Sequence, residues 1–310
     1  MSKIQQAIGR IEKGRKAGAD HQPDSVVGEV RETDLADDSK LNLDPDQTWD
    51  AEILVQPHRR VVHIDVMALR RAGLLAPQDD ERLIVDEYRN IKRPLVAHAF
   101  GKRATKVPDG HLIMVGSALP GEGKTFSCIN LALSMTTERD MSVLLVDADV
   151  AKPHITRLFG LEKEPGLLDI LDRDVGLDVD QAILPTNLNG LSILPAGLPR
   201  AHATEMLASE RMESLIRTLG DQDPNRIVLF DSPPLLMTSE AKVLASLVGQ
   251  VVIIVHAGKT PQRAVFDAVG QVGEDKALNL VLNQVRHSRS GNYYGAYYGY
   301  GAGEGHGDAK

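Results

Sequence analysis

The chain has 310 residues, a formal net charge of −8, 42% hydrophobic but only 4% aromatic residues, and one cysteine, Cys128. That length holds one large domain with extensions or two modest domains, and the acidic balance disfavours a nucleic-acid partner gripped by a broad basic face. A lone cysteine excludes an internal disulfide and a cysteine-built zinc site, which fits a reducing compartment.

The first twenty residues carry no apolar secretory core, and the longest apolar run, VVIIV at 251–255, is strand-length rather than membrane-spanning. A cytoplasmic location is expected, with membrane contact only through a partner or an interfacial helix. Ile4, Ala7, Ile8 and Ile11 recur at helical spacing among Lys3, Arg10, Lys13, Arg15 and Lys16, so residues 2–17 are expected to form a basic amphipathic helix. Such a helix can dock on a partner, lie on an anionic membrane or simply be solvated. Residues 18–55, rich in Asp, Glu, Pro and Ser, have linker composition.

From about residue 60, VVHIDVMALRRAGLLAP suggests a short strand and a helix ending near Gly73–Pro77. Residues 79–101 carry apolar positions at helical spacing around Asp86, Glu87, Arg89, Lys92 and Arg93, and Pro94 is expected to kink or divide that helix. Beyond Pro108, apolar runs at 111–118, 142–149, 191–197, 226–234, 250–258 and 278–285 alternate with helix-length segments. Continuous apolar runs suit strands buried on both faces, and the alternation predicts parallel βαβ units in a doubly wound α/β domain. The expected organisation is an N-terminal helix and linker over 1–59, a helical part over 60–107, a P-loop domain over 108–288 and a tail over 289–310.

The first of these strands runs into A-L-P-G-E-G-K-T, Ala118 to Thr125, followed by a helix. In a phosphate-binding loop, glycines let backbone N–H groups face the phosphates, a lysine reaches the β/γ oxygens and a hydroxyl binds Mg²⁺. Leu119, Pro120, Gly121, Glu122, Gly123, Lys124, Thr125 and Phe126 are therefore the expected nucleotide-binding segment, although Ala118 stands where the strict pattern has glycine. Asp147 and Asp149 lie two apart at the end of the second strand, and Asp231 closes the strand IVLFD. Three carboxylates at the carboxyl ends of parallel strands are expected to form a Mg²⁺- and water-holding cluster with Thr125.

The tail holds five of the six tyrosines, Tyr293, Tyr294, Tyr297, Tyr298 and Tyr300, set among glycine and alanine. Glycine so frequent disfavours order, so these phenols are expected to be exposed, either as an adhesive aromatic tail or as groups presented to an enzyme.

Taken together, the loop at 118–125, LLVDADxxKP at 145–153, VLFDSPP at 228–234 and the tyrosine cluster resemble the bacterial tyrosine kinases called BY-kinases. HIDVMALRRAGLLAP and DEYRNIKRPL are further similar to the branch associated with exosortase-type exopolysaccharide systems. The resemblance covers roughly residues 60–300 and implies ATP with Mg²⁺ as cofactors. It implies Lys124, Asp147, Asp149 and Asp231 as catalytic residues, Thr125 and the three aspartates as metal contacts, Asn283 against the adenine, and the tail tyrosines as phosphoacceptors. The family's second acidic motif usually has arginine where Lys152 stands. Its E-x-x-R-x-x-R ring-forming helix maps onto Asp86, Arg89 and Lys92, matching at one position of three.

The implied reaction is autophosphorylation on tyrosine in control of exopolysaccharide synthesis. The implied partners are a membrane chain-length regulator, further copies of the chain and a cognate tyrosine phosphatase, with peripheral attachment to the inner membrane through the regulator. The rival reading is a Min/Par-type positioning ATPase; such loops typically carry a second lysine where Leu119 stands, and the tyrosine tail has no role in that switch.

Overall fold

Seven strands form one sheet in the computed structural model, in the order β3-β4-β2-β5-β1-β6-β7. They are β1 (Leu112–Ser117), β2 (Ser142–Asp147), β3 (Leu184–Pro185), β4 (Leu191–Leu194), β5 (Arg226–Asp231), β6 (Gln250–His256) and β7 (Ala277–Asn283). All neighbours are parallel except β3, which pairs antiparallel with β4. The structure describes residues 60–285 apart from 72, 76–80, 103 and 104; the expected N-terminal helix, the acidic linker and the tyrosine tail lie outside the described residues.

Strand β1 is buried along its whole length and β2 and β5 along all but their first residue, as continuous apolar runs require. Successive side chains alternate between two apolar layers. Leu112 and Met114 of β1 join Leu144, Phe230 and Ile253 on one side, while Ile113 and Val115 join Leu145, Leu229 and Val252 on the other. The first layer is covered by α5 (Leu167–Leu171), α7 (Ala203–Leu207), α8 (Glu210–Asp221), α9 (Ser239–Leu247) and α10 (Gln262–Val269). The second is covered by α1 (Val66–Arg71), α2 (Glu81–Phe100), α3 (Lys124–Met135) and α4 (His154–Leu158). A single turn, α6 (Val179–Ala182), precedes β3.

Three features depart from the sequence expectation. The helix expected to kink or divide at Pro94 is not divided: it runs from Glu81 to Phe100 with Pro94 inside it. A proline there removes one hydrogen bond, but packing holds the helix together: Leu95 and Ala99 are buried, and the Leu95 carbonyl accepts from Gln250 Nε2 at 3.0 Å. The strand expected near residue 60 is one bridge, Val62 to Thr186, which ties the incoming chain to the β3 edge. Third, β7 is buried on one face only, with Leu278, Leu280 and Leu282 open to solvent.

No helix among the described residues is long and apolar enough to cross a membrane. The helix α2 is instead built to hold α3. Lys92, 4% exposed, donates to the Ser134 carbonyl at 2.7 Å and Thr137 Oγ1 at 2.8 Å, and pairs with Glu138 at 2.7 Å. These acceptors sit at the C-terminal end of α3, where a cation also meets the negative end of the helix dipole. Lys92 is thus spent inside the molecule rather than offered to a neighbouring copy, while Asp86 and Arg89 pair with each other on the surface of α2.

Replacing Lys92 by methionine keeps the aliphatic stem but removes the ammonium's bonds to the Ser134 carbonyl, Thr137 Oγ1 and Glu138. The expected cost is about 1–3 kcal/mol in urea unfolding, with the native mass by light scattering unchanged.

Candidate active site

The loop between β1 and α3 is shaped by two left-handed glycines, Gly121 at φ 79° and Gly123 at φ 91°. Gly123 is required twice over, because a Cβ there would also meet Asn283 Nδ2 at 2.1 Å. Ala118 needs no such freedom: it is fully buried and is not among the positive-φ residues, which is why alanine serves where the strict motif has glycine.

Side chains brace the loop from behind. Glu122 is 3% exposed; its Oε2 accepts from the Leu119 amide at 2.8 Å, and its Oε1 accepts from Thr260 Oγ1 in the β6–α10 turn. Asn283 Nδ2, at the end of β7, donates to the Glu122 carbonyl at 2.9 Å, and the neighbouring Gln284 Nε2 lies 3.5 Å from the Gly121 carbonyl. The loop is therefore fixed to both β6 and β7.

Lys124 opens α3 and is buried with its ammonium on Asp149 Oδ2 at 2.9 Å. Thr125 Oγ1 donates to Asp231 Oδ2 at 2.7 Å. Asp147 and Asp231 face each other in register at the ends of β2 and β5. Asp147 Oδ2 takes two hydrogen bonds from Thr156, from the amide at 2.8 Å and from Oγ1 at 2.7 Å. The second oxygens, Asp147 Oδ1 and Asp231 Oδ1, are buried without a hydrogen-bond partner.

Burial dominates the proton affinities. It pushes the Asp147 carboxyl up to about 6, against the pull of the two Thr156 hydrogen bonds. It pushes Asp231 up to about 7, with Lys124 and Thr125 opposing. For Lys124, burial pulls the ammonium down, but the carboxylates of Asp231 and Asp149 outweigh it, and the net shift is upward. The lysine stays charged, as an anion site demands.

The structure thus brings Lys124, Thr125, Asp147, Asp149 and Asp231 together. It gives other expected residues different surroundings. The Phe126 ring packs into the α2–α3 apolar layer, so that residue can offer a ligand only backbone. Asn283 spends its amide N–H on the loop. Lys152 is exposed, and its amide caps Asp149 Oδ1 at 3.2 Å.

The expected three-carboxylate cluster also differs: no group of three or more His, Cys, Asp or Glu side chains among the described residues is arranged to hold a metal. Asp149 is instead paired with Lys124. Thr125 with the free oxygen of Asp231 remains, an all-oxygen pair suited to a hard divalent cation that takes its further ligands from phosphate and water, while Asp147 Oδ1 stays open on the adjacent strand. Two contributors were not anticipated, Thr156 and Thr260. Neither lies in a recognisable motif, since each acts through the fold on a residue far away in sequence.

A helix N-terminus beside a buried ammonium is an anion site matched to polyphosphate, and the class of protein it defines is the P-loop nucleotide-binding proteins. The comparisons agree. The family described as "ParA: NUBPL iron-transfer P-loop NTPase" matches residues 110–273. The tyrosine-protein kinase YwqD of Bacillus subtilis is 28% identical over 243 residues, covering 75% of this chain and 97% of that protein. The succinoglycan biosynthesis transport protein ExoP of Rhizobium meliloti is 28% identical over 76% of this chain, which spans only 30% of it. The crystal structure of the VpsO kinase domain superposes with a TM-score of 0.55 at 27% identity, over 68% of this chain and all of that one. The chain belongs to the ParA-type P-loop NTPases, and the relatives it resembles among them are bacterial tyrosine-protein kinases.

Buried carboxyls whose affinity is raised favour the folded state in their protonated form. Stability is therefore gained as pH falls through the folded value of about 7 for Asp231 and lost as pH rises through it. Between about pH 6 and pH 8 the ligand-free protein should lose roughly 1–2 kcal/mol, and Asp231→Asn should flatten that slope in calorimetric melts.

Proposed function

We propose that the chain is an ATP-dependent protein-tyrosine autokinase whose acceptors are Tyr293, Tyr294, Tyr297, Tyr298 and Tyr300. The observation that carries this reading is the junction of β7 with the loop: Asn283 and Gln284 touch the backbone of Glu122 and Gly121, so the described chain ends beside the candidate nucleotide site, just ahead of the tyrosine segment in sequence. From Gln284 to Tyr300 an extended chain reaches at most roughly 50 Å, enough for its own loop or that of an adjacent copy.

In this scheme the loop amides and Lys124 hold the β- and γ-phosphates. Lys124 is drawn from Asp149 toward the oxygens that gain charge as the γ-phosphoryl leaves. Thr125 and Asp231, with Asp147 and Asp149 nearby, hold Mg²⁺, which supplies neutralising charge across the phosphate oxygens when bound. The tyrosine Oη forms the new bond to phosphorus, the bond from phosphorus to the bridging oxygen breaks, and ADP departs with that electron pair. The phenolic proton goes late to Asp147 Oδ1, the oxygen left without a partner. An affinity near 6 leaves Asp147 largely ionised at neutral pH yet basic enough to receive that proton. Tyr88 takes no part, since it is buried and its phenol is pushed far above its ordinary range by that burial.

Asn283 in this reading lies along the adenine with its carbonyl oxygen, its N–H being committed to the loop. The cellular role proposed is control of exopolysaccharide synthesis and export, in keeping with the name of the relative ExoP. The proposed setting is the cytoplasmic side of the inner membrane, beside a chain-length-regulating membrane protein and opposed by a tyrosine phosphatase. Self-assembly would use Asp86 and Arg89, which lie at the surface of α2, without Lys92.

Incubation with γ-labelled ATP and Mg²⁺ tests the reading. Label should appear on the tail tyrosines, fall at least 100-fold in Lys124→Ala, and vanish in a chain ending at Gly291 that still binds nucleotide. Free phosphate without labelled protein would instead establish a positioning ATPase. Thr156→Val should lower kcat for autophosphorylation about 10- to 100-fold with little change in KM for ATP, because Thr156 orients Asp147 and is placed to meet no phosphate.

A further inference from the structure

Edge strand β7 presents an apolar face that the described chain leaves bare. Leu278, Leu280 and Leu282 are 36%, 56% and 61% exposed, three leucines in a row on one side of the sheet. The opposite face is in use, with Val281 packed into the α2–α3 layer. The bare side is therefore that of α10, whose Ala264, Ala268 and Val269 pack inward and whose Phe266 stands 72% exposed. The inner strands bury their side chains on this side, Met114, Val146, Leu194, Phe230 and Ile253 among them, whereas those of β7 stay exposed. Three exposed leucines on adjacent same-face positions form a contiguous patch of the kind that marks an interaction site.

The missing cover has the shape of a helix. A second β7 added at the sheet edge would pair backbones yet leave the leucine faces of both strands open, whereas an amphipathic helix laid across the face buries them. Outside the described residues, the aliphatic spacing of such a helix occurs at Ile4, Ala7, Ile8 and Ile11; residues 286–310 contain no Leu, Ile or Met. We propose that residues 2–17 fold back as a helix on the Leu278–Leu280–Leu282 face of their own chain.

Length permits it. The described chain begins at Arg60, against the β3 edge, because the Val62 amide donates to the Pro185 carbonyl at 2.8 Å. Six strand spacings, about 29 Å, separate that edge from β7. Residues 18–59 span on the order of 35 Å as a coil and far more when extended. Charge favours it modestly. The segment that leads into β7 carries Glu274 and Asp275 against Lys276, a small acidic excess opposite in sign to residues 2–17 with Lys3, Arg10, Lys13, Arg15 and Lys16.

The proposal is independent of the kinase reading, and its test reads no activity. Cys128 is fully buried, so cysteines introduced in the full-length chain alone react with a short bis-maleimide. Ile8→Cys combined with Leu280→Cys should give an intramolecular crosslink whose yield does not depend on protein concentration. That yield should exceed by at least tenfold that of Ile8→Cys with Val175→Cys, an exposed apolar position before α6. Both positions 280 and 175 are exposed, so neither change should unfold the protein, and matching melting curves check this. Crosslinked dimers that grow with concentration would overturn the proposal in favour of a second copy. Equal yields from the two pairs would overturn it as chance encounter, and no product from either pair would overturn it outright. Hydrogen exchange over 277–283 supplies a second reading: deletion of residues 2–17 should speed exchange there several-fold, and unchanged exchange would count against docking.

Discussion

One buried ammonium organises the centre of this molecule. Lys124 Nζ sits among Asp147, Asp149 and Asp231 at the carboxyl ends of β2 and β5, where three uncompensated carboxylates would repel one another in a dry environment. The pairing with Asp149 is part of what permits the other two acids to stand in register on adjacent strands. Burial then raises both Asp147 and Asp231, so the pocket stores proton affinity that a polyphosphate and its cation would redistribute. The left-handed glycines, the fully buried β1 and the brace through Glu122 all hold the lysine end of α3 against those strands.

The helix that carries this lysine is held at both ends. Its N-terminus is fixed through the loop to β6 and β7, and its C-terminus is fixed by Lys92 of α2. Along its length, Asn130 Nδ2 bonds the Leu74 carbonyl at 2.8 Å, tying α3 to the segment that follows α1. Residues before Pro108 are therefore packed into the same apolar layer as the nucleotide-binding part, through Ile64, Leu69, Tyr88, Leu95 and Ala99.

Six of the seven strands were legible in the sequence as apolar runs, which burial on both faces explains for the central ones. The two-residue β3 was not, since Leu184–Pro185 has neither length nor pattern and exists only by pairing with β4. The one-sided burial of β7 was hidden for a related reason: LNLVLN alternates polar and apolar on the face that is covered, while the exposed face is all leucine, the reverse of the usual rule. At the site, the loop, the lysine and the acids announce themselves because their chemistry demands fixed spacing. Thr156 and Thr260 do not, for their partners Asp147 and Glu122 lie 9 and 138 residues away and any hydroxyl in the right fold would serve. Lys92 misleads in the opposite sense: its place in a surface motif suggests an interface, yet burial turns it inward.

Gln284 leaves the sheet in a left-handed conformation, φ 58°, immediately after the strand that holds the loop. In the proposed autokinase, a segment rooted there would give each tyrosine a local concentration at the nearest phosphate site that depends on the number of intervening residues and not on how much protein is present. Over 9 to 16 residues of glycine-rich chain such concentrations are on the order of millimolar, and they fall as roughly the three-halves power of the leash. Spacing from that pivot, more than the identity of the neighbouring residues, would then rank the five phenols by how often each visits.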